Sequence, residues 1–299
     1  MLPLQPREPV HPNIVILAGG ISSRMKNPTS ASSALNRSLS KDAEHKSKAM
    51  IGVGENSRPF LDYLLYNIER AGYRHVVIVV GERDDSIRLY YEREARKNFS
   101  SLDISYAVQK IPSGFLKPLG TADAVLVALN SMPSWKGEKF TVCNSDNLYS
   151  VQALQLLLED SHDNAMIDYD RTALKFDSER ITKFAVIKKD ADGYLKDIVE
   201  KPSAEEMKQA ADSNGRVGVS MNIFRFTHDN IYPFLESVPL HPVRQEKELP
   251  NAVKLMVHQH PRSMYAIPLS EHVPDLTTQS DILEVKEYLE KAFPRFSPE

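Results

Sequence analysis

Residues 13–25 read NIVILAGGISSRM, and this stretch constrains the fold more than any other. A short apolar run, residues 14–17, breaks into a turn on Gly19-Gly20, with Ser22, Ser23 and Arg24 close behind. An apolar run of strand length that ends in a Gly/Ser turn reads as a buried parallel strand entering a loop. Glycines let backbone N–H groups approach a ligand, and successive N–H groups form a nest for an anion. An arginine at the end of such a loop offers a planar fork of donors to phosphate. The same turn also serves as an ordinary strand-to-helix connection, so the rest of the chain must decide between the two.

Four further pieces come after it in order: Ser47-Lys48-Ala49-Met50, QKIPSGFLKPLGTADAV over 109–125, NSDN over 144–147 and VEKP over 199–202. Together with LAGG-x-S-x-R-M, this series resembles the sugar-nucleotide pyrophosphorylases, a family of nucleotidyltransferases, from about residue 13 to about residue 281. The resemblance implies an enzyme that joins an NTP to a sugar 1-phosphate and releases pyrophosphate. It implies Mg2+ as cofactor and in-line attack on the α-phosphate.

The resemblance also distributes roles. Leu17, Ala18, Gly19 and Gly20 would cradle the nucleotide, and Arg24 would hold the β- and γ-phosphates. Lys48 would stand at the α-phosphate, although serine replaces the proline that usually precedes it. Gln109, Gly120 and Thr121 match the segment that reads the base; an amide both donates and accepts, so it suits a pyrimidine or a purine edge. Asp146 matches the metal-binding aspartate of the strand-end turn. Asp275, in VPDLTT, matches a second metal position in a pattern resembling Trp-x-Asp-x-Gly-Thr, without the tryptophan and the glycine; Asp281 or a water is the alternative. Glu200 would accept from sugar hydroxyls, Lys201 would neutralise the sugar phosphate, and Asn222 would contact the sugar. Each position also has a plainer reading: a helix cap or turn residue for Asp146, a solvated loop residue for Asp275, surface charges for Lys48, Glu200 and Lys201, and an exposed strand-end residue for Gln109.

Around these motifs the chain alternates strand and helix patterns. Helices are predicted over 59–71, 84–97, 121–129 and 151–158, and strands over 75–80, 104–108 and 140–143. Such alternation predicts an α/β protein, a Rossmann-like three-layer α/β/α sandwich with a mixed, mostly parallel sheet, the nucleotidyltransferase fold of the resembled family. Ligands of such sheets sit beyond the carboxyl ends of the strands, where the glycine turn and the NSDN turn both fall. After residue 160 hairpin signals enter. Strands over 182–188 and 194–199 flank Asp192-Gly193, and further strands are predicted over 218–226 and 264–269. Helices are predicted over 227–235, 248–258 and 280–292. Residues 1–12 read as an extended lead-in and 13–299 as one domain, with a nucleotide-binding half over 13–160 and a sugar-phosphate half over 161–299. No hexapeptide repeat of a C-terminal β-helix domain is seen. Residues 27–47 are polar and serine-rich and read as a long mobile loop, one that closes over the triphosphate.

Composition narrows the partners. A net charge of −3 lacks the basic excess of a general nucleic-acid binder. No apolar run approaches the ~20 residues of a membrane span, and a proline-broken N-terminus lacks a signal-peptide core. Cys143 is the only cysteine, so no intrachain disulfide forms, and a cytoplasmic location is expected. The nine histidines show no zinc spacing. The expected partners are the two small-molecule substrates, with no nucleic acid and no membrane; association with a second copy stays open. A glycosyltransferase of a related fold, a non-catalytic nucleotide-sugar sensor, and transfer to a non-sugar phosphate such as phosphocholine are the competing readings.

Overall fold

A computed structural model describes residues 12–20, 25, 35, 37–294 and 296. Residues 1–11, most of 26–36, and Arg24 with its neighbours 21–23 lie outside the described residues.

The apolar runs become the centre of a sheet. Strands β1 (Asn13–Leu17), β2 (His75–Gly81), β3 (Asp103–Gln109) and β4 (Lys139–Asn144) run parallel in the order β3-β2-β1-β4. Ile14 and Ile16 enter one hydrophobic cluster and Val15 the other, because successive side chains of a strand face opposite sides. Both faces are therefore covered, which is why these strands read as unbroken hydrophobic runs rather than alternating ones.

Helices on one face are α1 (Arg37–His45), α2 (Phe60–Ala71), α3 (Ser86–Asn98), α5 (Val151–Glu159) and α10 (Asp281–Ala292). On the other lie α4 (Thr121–Ser131), α8 (His228–Ser237) and α9 (Leu249–Gln259). Short helices α6 (Ser178–Ile181) and α7 (Ala204–Ala210) decorate the second half. The expected three-layer α/β/α architecture is thus present.

Strand β5 (Ala165–Asp170) runs beside β9 (Phe224–Thr227) and β10 (Tyr265–Leu269), and the hairpin β6 (Val186–Lys189) and β7 (Leu195–Val199) joins through β8 (Gly218–Val219). β9 is antiparallel to both β4 and β5, so the sheet is mixed and both halves of the chain share it. No helix among the described residues is long and apolar enough to cross a membrane.

Three expectations are corrected. Residues 37–45, read as loop, form α1, whose Leu39 and Ala43 enter the core. Asp42 ties this helix to the following turn by accepting from the Gly52 N–H at 3.1 Å, alongside an ion pair with Lys46 at 2.9 Å. The single strand expected over 218–226 is two strands, because the backbone breaks at Asn222, whose φ is 55°. The strand expected over 182–188 begins only at Val186, because residues 182–184 turn out of α6, with Thr182 N–H donating to Ser178 O at 3.2 Å and Lys183 N–H to Arg180 O at 3.0 Å.

Candidate active site

The four parallel strands end on the same edge of the sheet, and a cavity of about 440 Å³ lies there. Its floor is the glycine turn. The Leu17 carbonyl accepts from Ser145 N–H at 3.2 Å, and Ala18 N–H donates to Val79 O at 2.9 Å, so β1 is stitched to both neighbours just before the turn. A Cβ on Gly19 would stand 3.2 Å from Gln109 Oε1 and 3.5 Å from Gly81 N, so the glycine turn runs close against the ends of β2 and β3.

Leu17, Ala18, Gly19, Gly20, Lys48, Gln109, Gly120, Thr121, Asp146, Glu200 and Asn222 all line this one cavity. Residues far apart in sequence are thus brought together at the expected edge. Arg24 lies outside the described residues.

Asp146 follows β4 directly. The cap of α5 is Ser150, whose Oγ accepts from Ala153 N–H at 3.0 Å, so Asp146 has no capping duty. Its Oδ2 accepts from Lys48 Nζ at 2.8 Å, in a pair that is only 13% (Lys48) and 23% (Asp146) exposed. No hydrogen bond reaches Oδ1 from the described residues. Lys48 is presented by a turn of 3₁₀ helix over Lys48–Met50, anchored by the buried Ala49 and Met50.

Asp275 is brought against this turn by backbone pairing. Asn147 bridges Asp275, Leu148 N–H donates to Pro274 O at 2.9 Å, and Leu276 N–H to Asp146 O at 2.8 Å. Asp275 is not among the residues lining the cavity, however. Arg180 donates to its Oδ2 at 2.7 Å and Thr277 to its Oδ1 at 2.6 Å. Burial raises the Asp275 carboxyl above its ordinary range, and the charge of Asp146 adds to the rise, with Arg180 opposing both. Asp281 binds Arg180 and accepts from the Thr277 and Thr278 N–H groups at 2.8 and 2.6 Å, so it braces the loop. Of the two neighbouring carboxylates, Asp146 lines the cavity with no described donor on Oδ1, whereas both oxygens of Asp275 are engaged by Arg180 and Thr277; a carboxylate oxygen is the kind of donor magnesium takes together with phosphate and water. Among the described residues no group of three or more His, Cys, Asp or Glu forms a self-contained metal cage.

On the other side of the glycine turn, Gln109 is 3% exposed rather than a solvated strand end. Its Nε2 donates to Gly120 O at 2.9 Å and to Asp123 Oδ2 at 2.8 Å. Both amide hydrogens are therefore used within the protein. Thr121 Oγ1 accepts from Leu249 N–H at 2.8 Å, and Ala122 N–H donates to Lys247 O at 2.9 Å, so residues 246–249 clamp the start of α4.

The second half supplies the far wall. The Tyr149 hydroxyl donates to Met221 O at 2.7 Å and places the left-handed Asn222 at the rim. Glu200 pairs with Arg244, which also meets Glu248 at 2.9 Å. Burial raises the Glu248 carboxyl above its ordinary range. Lys201 is exposed, with φ 48°, and is outside the lining, whereas Arg244 is within it. Arg244, Glu246, Glu248 and Lys117 were not found from the sequence. An Arg/Glu/Lys run before a helix carries no signal that separates a cavity wall from a solvated surface.

These findings agree with what the chain is similar to. It is 25% identical over 245 residues to the "Bifunctional protein GlmU" of Staphylococcus carnosus, covering 82% of this chain and 45% of that protein. It is 27% identical over 255 residues to the protein of the same name from Methanococcus vannielii, covering 85% and 53%. The chain thus spans about half the length of these curated relatives. A crystal structure of UDP-glucose pyrophosphorylase complexed with UDP-glucose superposes with a TM-score of 0.65 at 17% identity, over 94% of this chain and 98% of that one. UDP-glucose pyrophosphorylase from Acinetobacter baumannii does so with a TM-score of 0.66 at 18% identity, over 95% and 94%. The profile of the family described as "Nucleotidyl transferase" matches residues 13–292. This chain belongs to the nucleotidyl transferase family.

Proposed function

We propose that the protein joins an NTP to a sugar 1-phosphate, giving an NDP-sugar and pyrophosphate. The observation that carries the reading is the Lys48–Asp146 pair, set in one cavity between the glycine turn and the wall of Glu200, Asn222 and Arg244. A cation and an acid at the glycine turn suit phosphates; acids and an amide opposite suit hydroxyls.

In this reading an oxygen of the sugar phosphate attacks the α-phosphorus. The bond from that phosphorus to the bridging oxygen of the β-phosphate breaks, and pyrophosphate leaves. Phosphoryl chemistry of this kind asks the protein chiefly for positioning and charge stabilisation. The N–H groups around Gly19 and Gly20 hold the triphosphate, Arg24 its outer phosphates, and Lys48 the α-phosphate. Glu200 and Asn222 orient the sugar, and Arg244 takes the sugar phosphate, with Lys201 at the rim. Asp146, with Asp275 behind it, would hold magnesium, which when bound supplies further charge neutralisation at the phosphates.

The test is a pyrophosphate-release screen of the NTPs against a panel of sugar 1-phosphates and phosphocholine, with magnesium. Release that needs both an NTP and a sugar phosphate is expected. Tight binding of an NDP-sugar with no release under any pairing would favour a sensor and overturn the catalytic reading.

A further inference from the structure

The carboxylate behind Asp146 is held by a cation of the protein itself, and this bears on how a divalent ion is taken, given the nucleotidyl-transfer reading above. Arg180 ends in a planar fork, and two of its nitrogens reach two different acids. Nη2 donates to Asp275 Oδ2 at 2.7 Å and Nη1 donates to Asp281 Oδ1. The guanidinium lies over the ring of Phe176, 4.4 Å from its centroid, which fixes the plane of the fork. The side chains of Arg180, Asp275 and Asp281 are at most 21% exposed, so salt and solvent screen these pairs little.

The other partners close the arrangement. Thr277 Oγ1 donates to Asp275 Oδ1, and Asp281 is anchored by the Thr277 and Thr278 N–H groups. Drawing Asp275 toward an ion in the cavity would break both of its contacts and leave the guanidinium to Asp281 alone. Parting a shielded ion pair is costly, because each charge has given up its water. Asp146 differs on every count: it lines the cavity, and its Oδ1 has no donor among the described residues.

We infer that Arg180 withholds Asp275 from the metal, so that Asp146 alone of this acid pair ligates a divalent ion; Arg180 is a positioning residue that acts through Asp275. A site with one committed carboxylate holds such an ion weakly until phosphate oxygens join it.

Electron paramagnetic resonance of Mn2+, a paramagnetic stand-in for magnesium, titrated into the whole chain without nucleotide tests this and needs no turnover. Asp146→Asn should weaken Mn2+ binding at least about tenfold, and Asp275→Asn by no more than about threefold. Arg180→Met keeps an apolar stem over Phe176 and removes the fork, which uncovers the charge of Asp275. It should tighten Mn2+ binding by about three- to tenfold, and adding Asp275→Asn should take that gain away. General damage to the fold loosens binding, so a gain separates this role from a merely structural one. Asp275→Asn losing Mn2+ as fully as Asp146→Asn, at an unchanged Tm, would overturn the inference. So would a folded Arg180→Met variant with unchanged or weaker affinity. Should Arg180→Met not fold, the comparison of Asp146→Asn with Asp275→Asn decides by itself. Mn2+ binding that Asp146→Asn leaves unchanged would also overturn it, by removing the ion from this acid pair. The expected Mn2+ results with no pyrophosphate release from any pairing would overturn nucleotidyl transfer and leave the hold of Arg180 on Asp275 standing.

Discussion

Gly120 is the sharpest place to test how the cavity is held together. Its φ of 101° and ψ of −171° belong to a backbone region that side chains other than hydrogen rarely enter. A Cβ there would meet Lys247 O at 2.7 Å and Glu246 Cβ at 2.9 Å, and neither the carbonyl nor the adjoining backbone is the far end of a flexible chain. Backbone strain alone costs about 1–3 kcal/mol. Displacing residues 246–249 from the start of α4 adds to that, for a total of about 2–4 kcal/mol in Gly120→Ala. In a chain of this size that lowers Tm by about 3–6 °C. Gly114→Ala is the internal control: its φ is 86°, but nothing lies within 4 Å of the added methyl. It should cost only the left-handed strain, about 1–2 kcal/mol. Differential scanning calorimetry of the two variants separates strain from contact. Equal Tm values would refute the claim that the clamp closes on Gly120.

The same geometry sets three other outcomes. Asp146→Asn keeps the shape but removes the charge beside Lys48, so turnover should drop by orders of magnitude while Tm changes little; near-normal turnover would remove Asp146 from the metal site. Lys48→Ala should chiefly lower kcat and Arg244→Ala chiefly raise KM for the sugar phosphate; a rise in KM for the NTP alone in Arg244→Ala would place that residue wrongly. His272 is lowered to about 4, by burial first and then by Lys175 and Arg180, so the folded state holds it neutral. The unfolded chain takes up that proton near pH 6.5, so stability present above pH 6.5 is lost as pH falls toward 4. His272→Gln should flatten the fall in Tm over that window, and an unchanged slope would count against it.

The first half of the fold was readable because its determinants are local. β1, β2 and β4 are buried on both faces, and such strands announce themselves as apolar runs; the turns after them carry the motif residues. β5 escaped because Asp168 interrupts it. That carboxylate is fully buried and makes a 2.6 Å ion pair with Arg216 and another with Lys189, partners that no periodicity reveals. Helix α1 escaped for a related reason: its first residues are polar, and only Leu39 and Ala43 reach the core, with Asp42 working as a tie. In the site, the residues on strand ends and the glycine turn were found, since the sheet puts them on one edge. Arg244 was not, because its place depends on how residues 240–248 fold back over the start of α4. The pairing of Asp275 with Arg180, 95 residues away in the chain, likewise exists only in three dimensions.

The pairing of residues 146–148 with 274–276 bears on how the protein is made. A ribosome delivers the glycine turn, Lys48 and Asp146 long before Asp275. Contacts between distant parts of a chain form late, because a large loop must close before they stabilise anything. The last segment also donates from Gln279 Nε2 to Met25 O at 3.0 Å, closing the ring from the C-terminal side onto the end of the glycine turn. A nascent chain therefore carries Lys48 and Asp146 before the segment that pairs with the Asp146 turn exists, and that pairing waits until synthesis has passed residue 276. The backing of the Asp146 turn is acquired in one late step rather than growing with chain length.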